Sequence, residues 1–197
     1  MKKIILATTN KGKLAEFNEL VKGLGVEFIL PVMPEIEEDG LTFSENALKK
    51  ASVVAKLNNM TTLSDDSGLC VEALDNGPGI YTARYKSELG SYENRQKALI
   101  EELNSKNKEN RKAKFVCVLC LCEPNGEYMT FEGIVEGEIT EKIEGTNGHG
   151  YDPIFYNKEI GKSFGNATEK EKNTVSHRAK AFEKFKKYLK TEMGINE

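Results

Sequence analysis

Two adjacent carboxylates in Ser64-Asp65-Asp66-Ser67-Gly68 have the strongest chemical potential in the chain. Neighbouring like charges repel, so such a pair calls for a cation or a proton, and a divalent metal is one solution. In an extended segment the two side chains point to opposite faces. One would then do chemistry while the other braces the loop. The plain alternative is an Asx-turn that only closes a loop. Ser67 and Gly68 let the backbone approach a ligand closely. A second group is Thr8-Thr9-Asn10-Lys11-Gly12-Lys13, placed between a strand pattern and a helix pattern. Backbone N–H groups at such a junction favour a phosphate. Lys13 adds charge, and Thr8 and Asn10 add hydrogen bonds. The spacing is not that of a P-loop. The acidic run Glu35 to Asp39 leads into a helix carrying Lys49 and Lys50. Mg²⁺ binds few carboxylates plus substrate phosphates, so one glutamate there suffices.

Two later segments suit the flat part of a ligand. In Gly148-His149-Gly150-Tyr151-Asp152-Pro153 two glycines flank a ring, which lets the chain present a planar side chain. In Lys172-Asn173-Thr174-Val175-Ser176-His177-Arg178, Ser176 is a cap that puts His177 and Arg178 in a first helical turn. Cations are unfavourable there against the helix dipole, a penalty that makes sense if they serve an electronegative ligand. A turn and a tolerated surface arginine are the plain alternatives.

The positioning elements follow from local patterns. Lys3 to Ala7 reads as a buried strand. Leu14, Phe17, Leu20, Val21 and Leu24 then recur at helical spacing, and Gly23 and Gly25 stop that helix. Val26 to Leu30 is a second strand. Thr42-Phe43-Ser44-Glu45 is a capping box for a helix to about Leu57, with Ala47, Leu48, Ala51 and Val54 inward. A short strand spans Thr61 to Ser64. Asp75 to Gly79 marks a turn. Ser91 caps a helix from Tyr92 to Leu103, and Asn104 to Lys112 reads as a charged linker. Phe115 to Cys122 and Tyr128 to Ile139 form a hairpin about Pro124-Asn125-Gly126, and Gly133 and Gly137 suggest bulges or a bend. Ile154 to Tyr156 is a short strand. The last helix turns Ala179, Phe182, Phe185 and Leu189 inward. Early βαβα alternation followed by a long hairpin predicts an α/β protein with a mixed sheet.

Composition narrows the class. The 197 residues carry 28 Lys plus Arg and 31 Asp plus Glu, a formal charge of −3. A generic nucleic-acid binder needs a basic surface, so no nucleic-acid partner is expected. A hydrophobic content of 39% supports a core. The run Phe115 to Cys122 is far short of a membrane span, and the apolar start is too short for a signal peptide. A cytoplasmic protein of one domain, residues 1–197, is the expectation. Cys117-Val118-Leu119-Cys120 has a C-x-x-C outline, but zinc needs a second ligand pair, so the better reading is a buried strand.

Taken in order, Ala7-Thr-Thr-Asn-Lys-Gly-Lys13-Leu-Ala-Glu16, Glu38-Asp-Gly-Leu-Thr-Phe-Ser-Glu-Asn46, Ser64-Asp-Asp-Ser-Gly-Leu69, Pro78-Gly-Ile-Tyr-Thr-Ala-Arg84, Gly150-Tyr-Asp-Pro-Ile-Phe155 and Ser176-His-Arg178 resemble the inosine triphosphate pyrophosphatase family. The resemblance implies an elongated, two-lobed α/β fold. In it helices surround a long mixed sheet and the active cleft lies between the lobes. It also implies a homodimer, dependence on Mg²⁺, and cleavage of inosine, deoxyinosine or xanthosine triphosphate to monophosphate and pyrophosphate. On this basis Thr8 to Lys13 carry the triphosphate, and Ser67 and Gly68 also bind substrate. Glu38 and Asp66 hold the metal, Asp66 activates water, and Lys50 stabilises phosphate charge. His149 stacks on the base, Lys172, His177 and Arg178 donate to it, and Gly150, Tyr151 and Asp152 also bind substrate. Members of the family usually have Phe where this chain has His149, a ring with less stacking area. Lys172, Arg178 and a protonated His177 only donate hydrogen bonds, which suits a 6-oxo purine and leaves adenine unmatched. A pyrophosphatase for other modified nucleotides and a non-catalytic nucleotide-binding module are the alternatives.

Overall fold

The computed structural model describes residues 1–192 and Gly194. Its elements in chain order are β1 (Lys2–Leu6), α1 (Lys11–Leu20), β2 (Val26–Ile29), α2 (Phe43–Asn58), β3 (Thr62–Val71), β4 (Gly77–Pro78) and α3 (Tyr92–Asn107). They continue with β5 (Lys112–Cys122), β6 (Tyr128–Ile139), β7 (Phe155–Asn157), β8 (Lys162–Ser163), α4 (Glu169–Asn173) and α5 (His177–Thr191). Among the described residues the strands make one eight-stranded mixed sheet in the order β2-β1-β3-β5-β6-β7-β8, with β4 on β3. β1 runs parallel to β2 and β3, whereas β7 runs antiparallel to β6 and β8. No helix among the described residues is long and apolar enough to cross a membrane.

The chain forms two compact units. The first holds residues 1–66, 117–132 and the C-terminal segment from Ala181; the second holds 67–116 and 133–180. The first unit's core joins Phe17 and Val21 of α1, Phe28 of β2, Leu63 of β3, Cys117 and Leu119 of β5, and Phe182 and Phe185 of α5. Phe17 and Phe182 meet edge to face at 4.7 Å. The second unit's core gathers Leu69, Leu99, Leu103, Phe115, Phe155 and Phe164. All four cysteines are buried, three of them within β5.

Several local expectations shift. β3 does not stop at Ser64: it continues through the acidic pair to Val71, so the Asx-turn reading falls. Only Asp66 and Ser67 interrupt its burial. α3 extends to Asn107, because a polar surface does not by itself end a helix. α5 buries Ala181 rather than Ala179, and Leu48 of α2 is only half-buried. In the α2 capping box Thr42 Oγ1 accepts from the Glu45 N–H at 3.1 Å. The Glu45 carboxylate reaches one residue further back, to the Leu41 N–H at 2.6 Å. Gly133 and Gly137 do not break β6, which is continuous. Gly137 serves close approach instead, since a Cβ there would sit 2.3 Å from the Tyr156 carbonyl oxygen and 2.6 Å from the Phe155 ring. Gly137→Ala therefore overpacks the β6–β7 contact. Thermal denaturation should show a loss of about 2–3 kcal/mol, lowering Tm by roughly 5–10 °C.

Candidate active site

Parallel pairing sets the phosphate side. Leu6, the last residue of β1, lies opposite Leu63 near the start of β3, so β1 ends there while β3 runs on past it through Asp65 and Asp66. In open α/β sheets ligands bind beyond such ends. The loop after β1 is shaped by its own side chains. Thr8 Oγ1 accepts from the Asn10 N–H at 3.1 Å, and Asn10 Oδ1 accepts from the Lys13 N–H at 3.1 Å, capping α1. Thr9, Asn10, Lys11 and Gly12 are exposed. With no acidic residue in the first turn of α1, its dipole is uncancelled. A pocket of about 330 Å³ opens here, lined by Thr8, Thr9, Glu38 and Lys50 among others.

The acidic pair splits as an extended strand requires. Asp65 is buried and accepts from Lys13 Nζ at 2.6 Å. Asp66 interacts with α2 instead, through Lys50 and the side chain of Asn46. Lys50 Nζ donates to the Asp65 carbonyl at 2.9 Å and pairs with Glu38 at 2.8 Å. Burial disfavours the Lys50 ammonium, but Asp65, Glu38 and Asp66 outweigh it and raise the pKa, so Lys50 stays charged. Burial, reinforced by the Glu38 and Asp65 charges, lifts the Asp66 carboxyl from an ordinary 3.8 to about 6, against the opposing pull of Lys50 and Asn46. A carboxylate tuned near neutrality suits a general base.

A divalent metal fits these donors. Asp66 Oδ2 is buried and meets no hydrogen-bond partner among the described residues. Glu38 is nearly half exposed and would add a second hard oxygen donor. No group of three His, Cys, Asp or Glu side chains that could hold a metal occurs among the described residues. The protein would therefore supply two carboxylates and leave the remaining positions to phosphate and water, which suits Mg²⁺ better than metals needing a full protein cage.

The second unit organises the other predicted residues. Asp152 is 2% exposed, and its Oδ2 accepts from Lys172 Nζ at 2.5 Å and from the His149 N–H at 3.0 Å. Gly148, at φ +72°, makes room for that carboxylate, because a Cβ there would lie 2.2 Å from Asp152 Oδ2. The His149 ring is exposed, as a platform for a planar group would be. Lys172 sits on α4, a five-residue helix capped by Thr168 that the sequence pattern did not reveal. Ser176 Oγ accepts from the Ala179 N–H at 3.1 Å, which places His177 and Arg178 in the first turn of α5 as expected. The His177 ring stacks on Phe115 at 5.0 Å.

Tyr151 is corrected. Its side chain is 2% exposed within the core, edge-on to Tyr92, and its hydroxyl donates to the Tyr85 carbonyl at 3.4 Å. It anchors the loop rather than offering a surface to a ligand. Gly68 is likewise buried, with Ser67 half-buried beside Asp66. Two contributors escaped the sequence reading. Asn46 is 2% exposed and accepts from the Gly40 N–H at 2.8 Å, fixing the loop that bears Glu38. Gln96 donates to the Gly150 carbonyl at 2.6 Å. A polar residue on the inward face of an amphipathic helix was the available signal for Asn46.

The Ham1 family profile matches residues 4–188. The chain belongs to the Ham1 family. A dITP/XTP pyrophosphatase of Geobacter sulfurreducens is 45% identical over 193 residues, covering 96% of this chain and 97% of that protein. A Bacillus licheniformis protein of the same name is 44% identical, with 96% and 98% covered. Among solved structures, a HAM1 protein from Coxiella burnetii superposes with a TM-score of 0.92 at 38% identity, covering 96% of this chain and 99% of that one. The Staphylococcus aureus Ham1 protein gives 0.89 at 38% identity, covering 97% and 100%. The Ham1 match thus spans both the Lys13–Asp65–Lys50 cluster and the Asp152–Lys172 pair.

Proposed function

We infer that this chain is a nucleoside triphosphate pyrophosphatase that hydrolyses non-standard purine triphosphates (dITP, ITP and XTP) to the monophosphate and pyrophosphate. The carrying observation is Asp66, a half-buried carboxylate raised to about 6, with its Oδ2 buried and unpartnered among the described residues and the Lys50 ammonium acting on it. The names of the similar bacterial proteins point the same way.

In this reading the first unit handles the triphosphate. The loop Thr8 to Lys13 receives phosphate oxygens on backbone N–H groups, and Lys13 and Lys50 neutralise their charge. Glu38 and Asp66 would hold Mg²⁺, which would supply further charge neutralisation at the phosphates. Asp66 accepts a proton from water and orients it toward the α-phosphorus. Catalysis is chiefly positioning and electrostatics, as phosphoryl chemistry requires. The second unit reads the base: His149 supplies a stacking face, and Lys172, His177 and Arg178 supply donors for the 6-oxo group. Cys70, Cys120 and Cys122, buried as free thiols, suit a reducing compartment, so the cytoplasm is the proposed location. A homodimer completes the reading and is checked by sedimentation.

A panel of dITP, XTP, ITP, GTP and ATP, with monophosphate and pyrophosphate resolved, tests the function. Pyrophosphate release should favour the 6-oxo deaminated purines. No release from any of them, or preference for a pyrimidine triphosphate, would contradict it. Arg178→Ala should lower the ITP-to-ATP ratio of kcat/KM by roughly tenfold or more, because adenine no longer leaves that donor unmatched. An unchanged ratio would clear Arg178 of base selection.

A further inference from the structure

We propose that Asp65 is the positioning residue for both triphosphate-binding cations, its carboxylate fixing Lys13 and its backbone carbonyl fixing Lys50. The ligand class rests on the pyrophosphatase reading above; the placement of the two lysines does not. Asp65 lies on β3 two residues beyond its last pairing with β1, Leu6 opposite Leu63, and its side chain is 7% exposed. Lys13 arrives from α1 and donates to its carboxylate at 2.6 Å. Lys50 arrives from α2 and donates to its carbonyl at 2.9 Å. One residue of a rigid, paired strand therefore locates ammonium groups from two different helices.

Donor counting shows why this leaves the lysines competent. An ammonium has three N–H donors. Lys13 commits one to Asp65, and Lys50 commits two, to Asp65 and to Glu38. Both side chains keep an open edge, 25% and 16% exposed respectively. A polyphosphate can thus be met by Lys13 without breaking the pair. Drawing Lys13 fully away would strand a buried carboxylate, which is strongly unfavourable. Asp65 therefore stays paired through the cycle and sets where the charge of Lys13 stands. Its neighbour Asp66, half exposed and lacking a partner on Oδ2 among the described residues, keeps the chemical role.

The test is calorimetric binding of inorganic tripolyphosphate to wild type, Asp65→Asn and the double variant Asp65→Asn/Lys13→Met, with thermal melts alongside. Asp65→Asn strands no buried charge, since Lys13 can turn to solvent. It should weaken tripolyphosphate about tenfold, and removing Lys13 from that background should cost less than a further threefold, the non-additivity expected when one residue acts through the other. Affinity unchanged in Asp65→Asn while Tm falls would make Asp65 merely structural and overturn the proposal. A further tenfold loss in the double variant would also overturn it, because Lys13 would then act independently. The double variant carries neither charge, so it remains measurable if a single substitution fails to fold; binding within threefold of wild type in it again contradicts the proposal. Wild type that binds tripolyphosphate but not α,β-imido-dITP would refute the nucleotide reading and leave this comparison intact.

Discussion

Asp66→Asn should reduce kcat for dITP by about 10³-fold while leaving the affinity for α,β-imido-dITP within a few fold of wild type. The substitution keeps the shape of the side chain and removes only its ability to take a proton and to carry charge. It should also stabilise the metal-free protein at neutral pH. The fold holds the Asp66 proton more tightly than an unfolded chain does, with a pKa raised from 3.8 to about 6. Well below pH 3.8 both states are protonated and Asp66 costs the fold nothing. Stability is then lost as the pH rises through 6, when the folded state must release that proton. Asparagine stays neutral and avoids the loss. Allowing for partial solvent screening, the difference at pH 7.5 is about 2 kcal/mol, or roughly 5 °C in Tm. Melting curves in EDTA check it: the variant should melt higher at pH 7.5, and the gap should close toward pH 4. Wild-type turnover in the variant, or a gap that does not depend on pH, would contradict the assignment.

Lys50→Met carries the second large effect. Lys50 holds Glu38, reaches the Asp65 carbonyl and opposes the rise in the Asp66 pKa. Its removal deletes a phosphate-facing charge and leaves three carboxylates crowded together. The expected loss in kcat/KM is about 10²–10³-fold. The acid limb of the kcat profile, followed at fixed metal concentration, should move to higher pH by about one pH unit, because an opposite charge that favoured the Asp66 anion is gone. A profile unmoved on the pH axis would mean that Lys50 acts on the phosphates alone.

What the sequence made legible was local. Thr42, Ser91 and Ser176 cap the helices they precede because capping is a three-residue interaction written in the chain itself. Adjacency alone separated Asp65 from Asp66, since successive strand residues face opposite ways. Partnerships across the fold were not legible. Lys13 and Asp65 are 52 residues apart, and only parallel pairing of β1 with β3 brings them together. Tyr151 lay between glycine and aspartate in a polar loop, so its burial against Tyr92 depended on where α3 packs. α4 is too short for periodicity to register, and so Lys172 seemed to lie in a connecting loop. β3 was read as ending at Ser64 because two charges look like a terminus. It continues because Lys13 and Lys50 satisfy Asp65 within the fold.

In the proposed mechanism Asp66 directs water to the α-phosphorus of a bound purine triphosphate. Hydrolysis of dITP in ¹⁸O-enriched water, with products resolved by mass spectrometry, tests it most directly. One ¹⁸O in the monophosphate and none in the released pyrophosphate is the predicted result. Label in the pyrophosphate, or release of orthophosphate as the first product, would place the attack elsewhere and contradict the account.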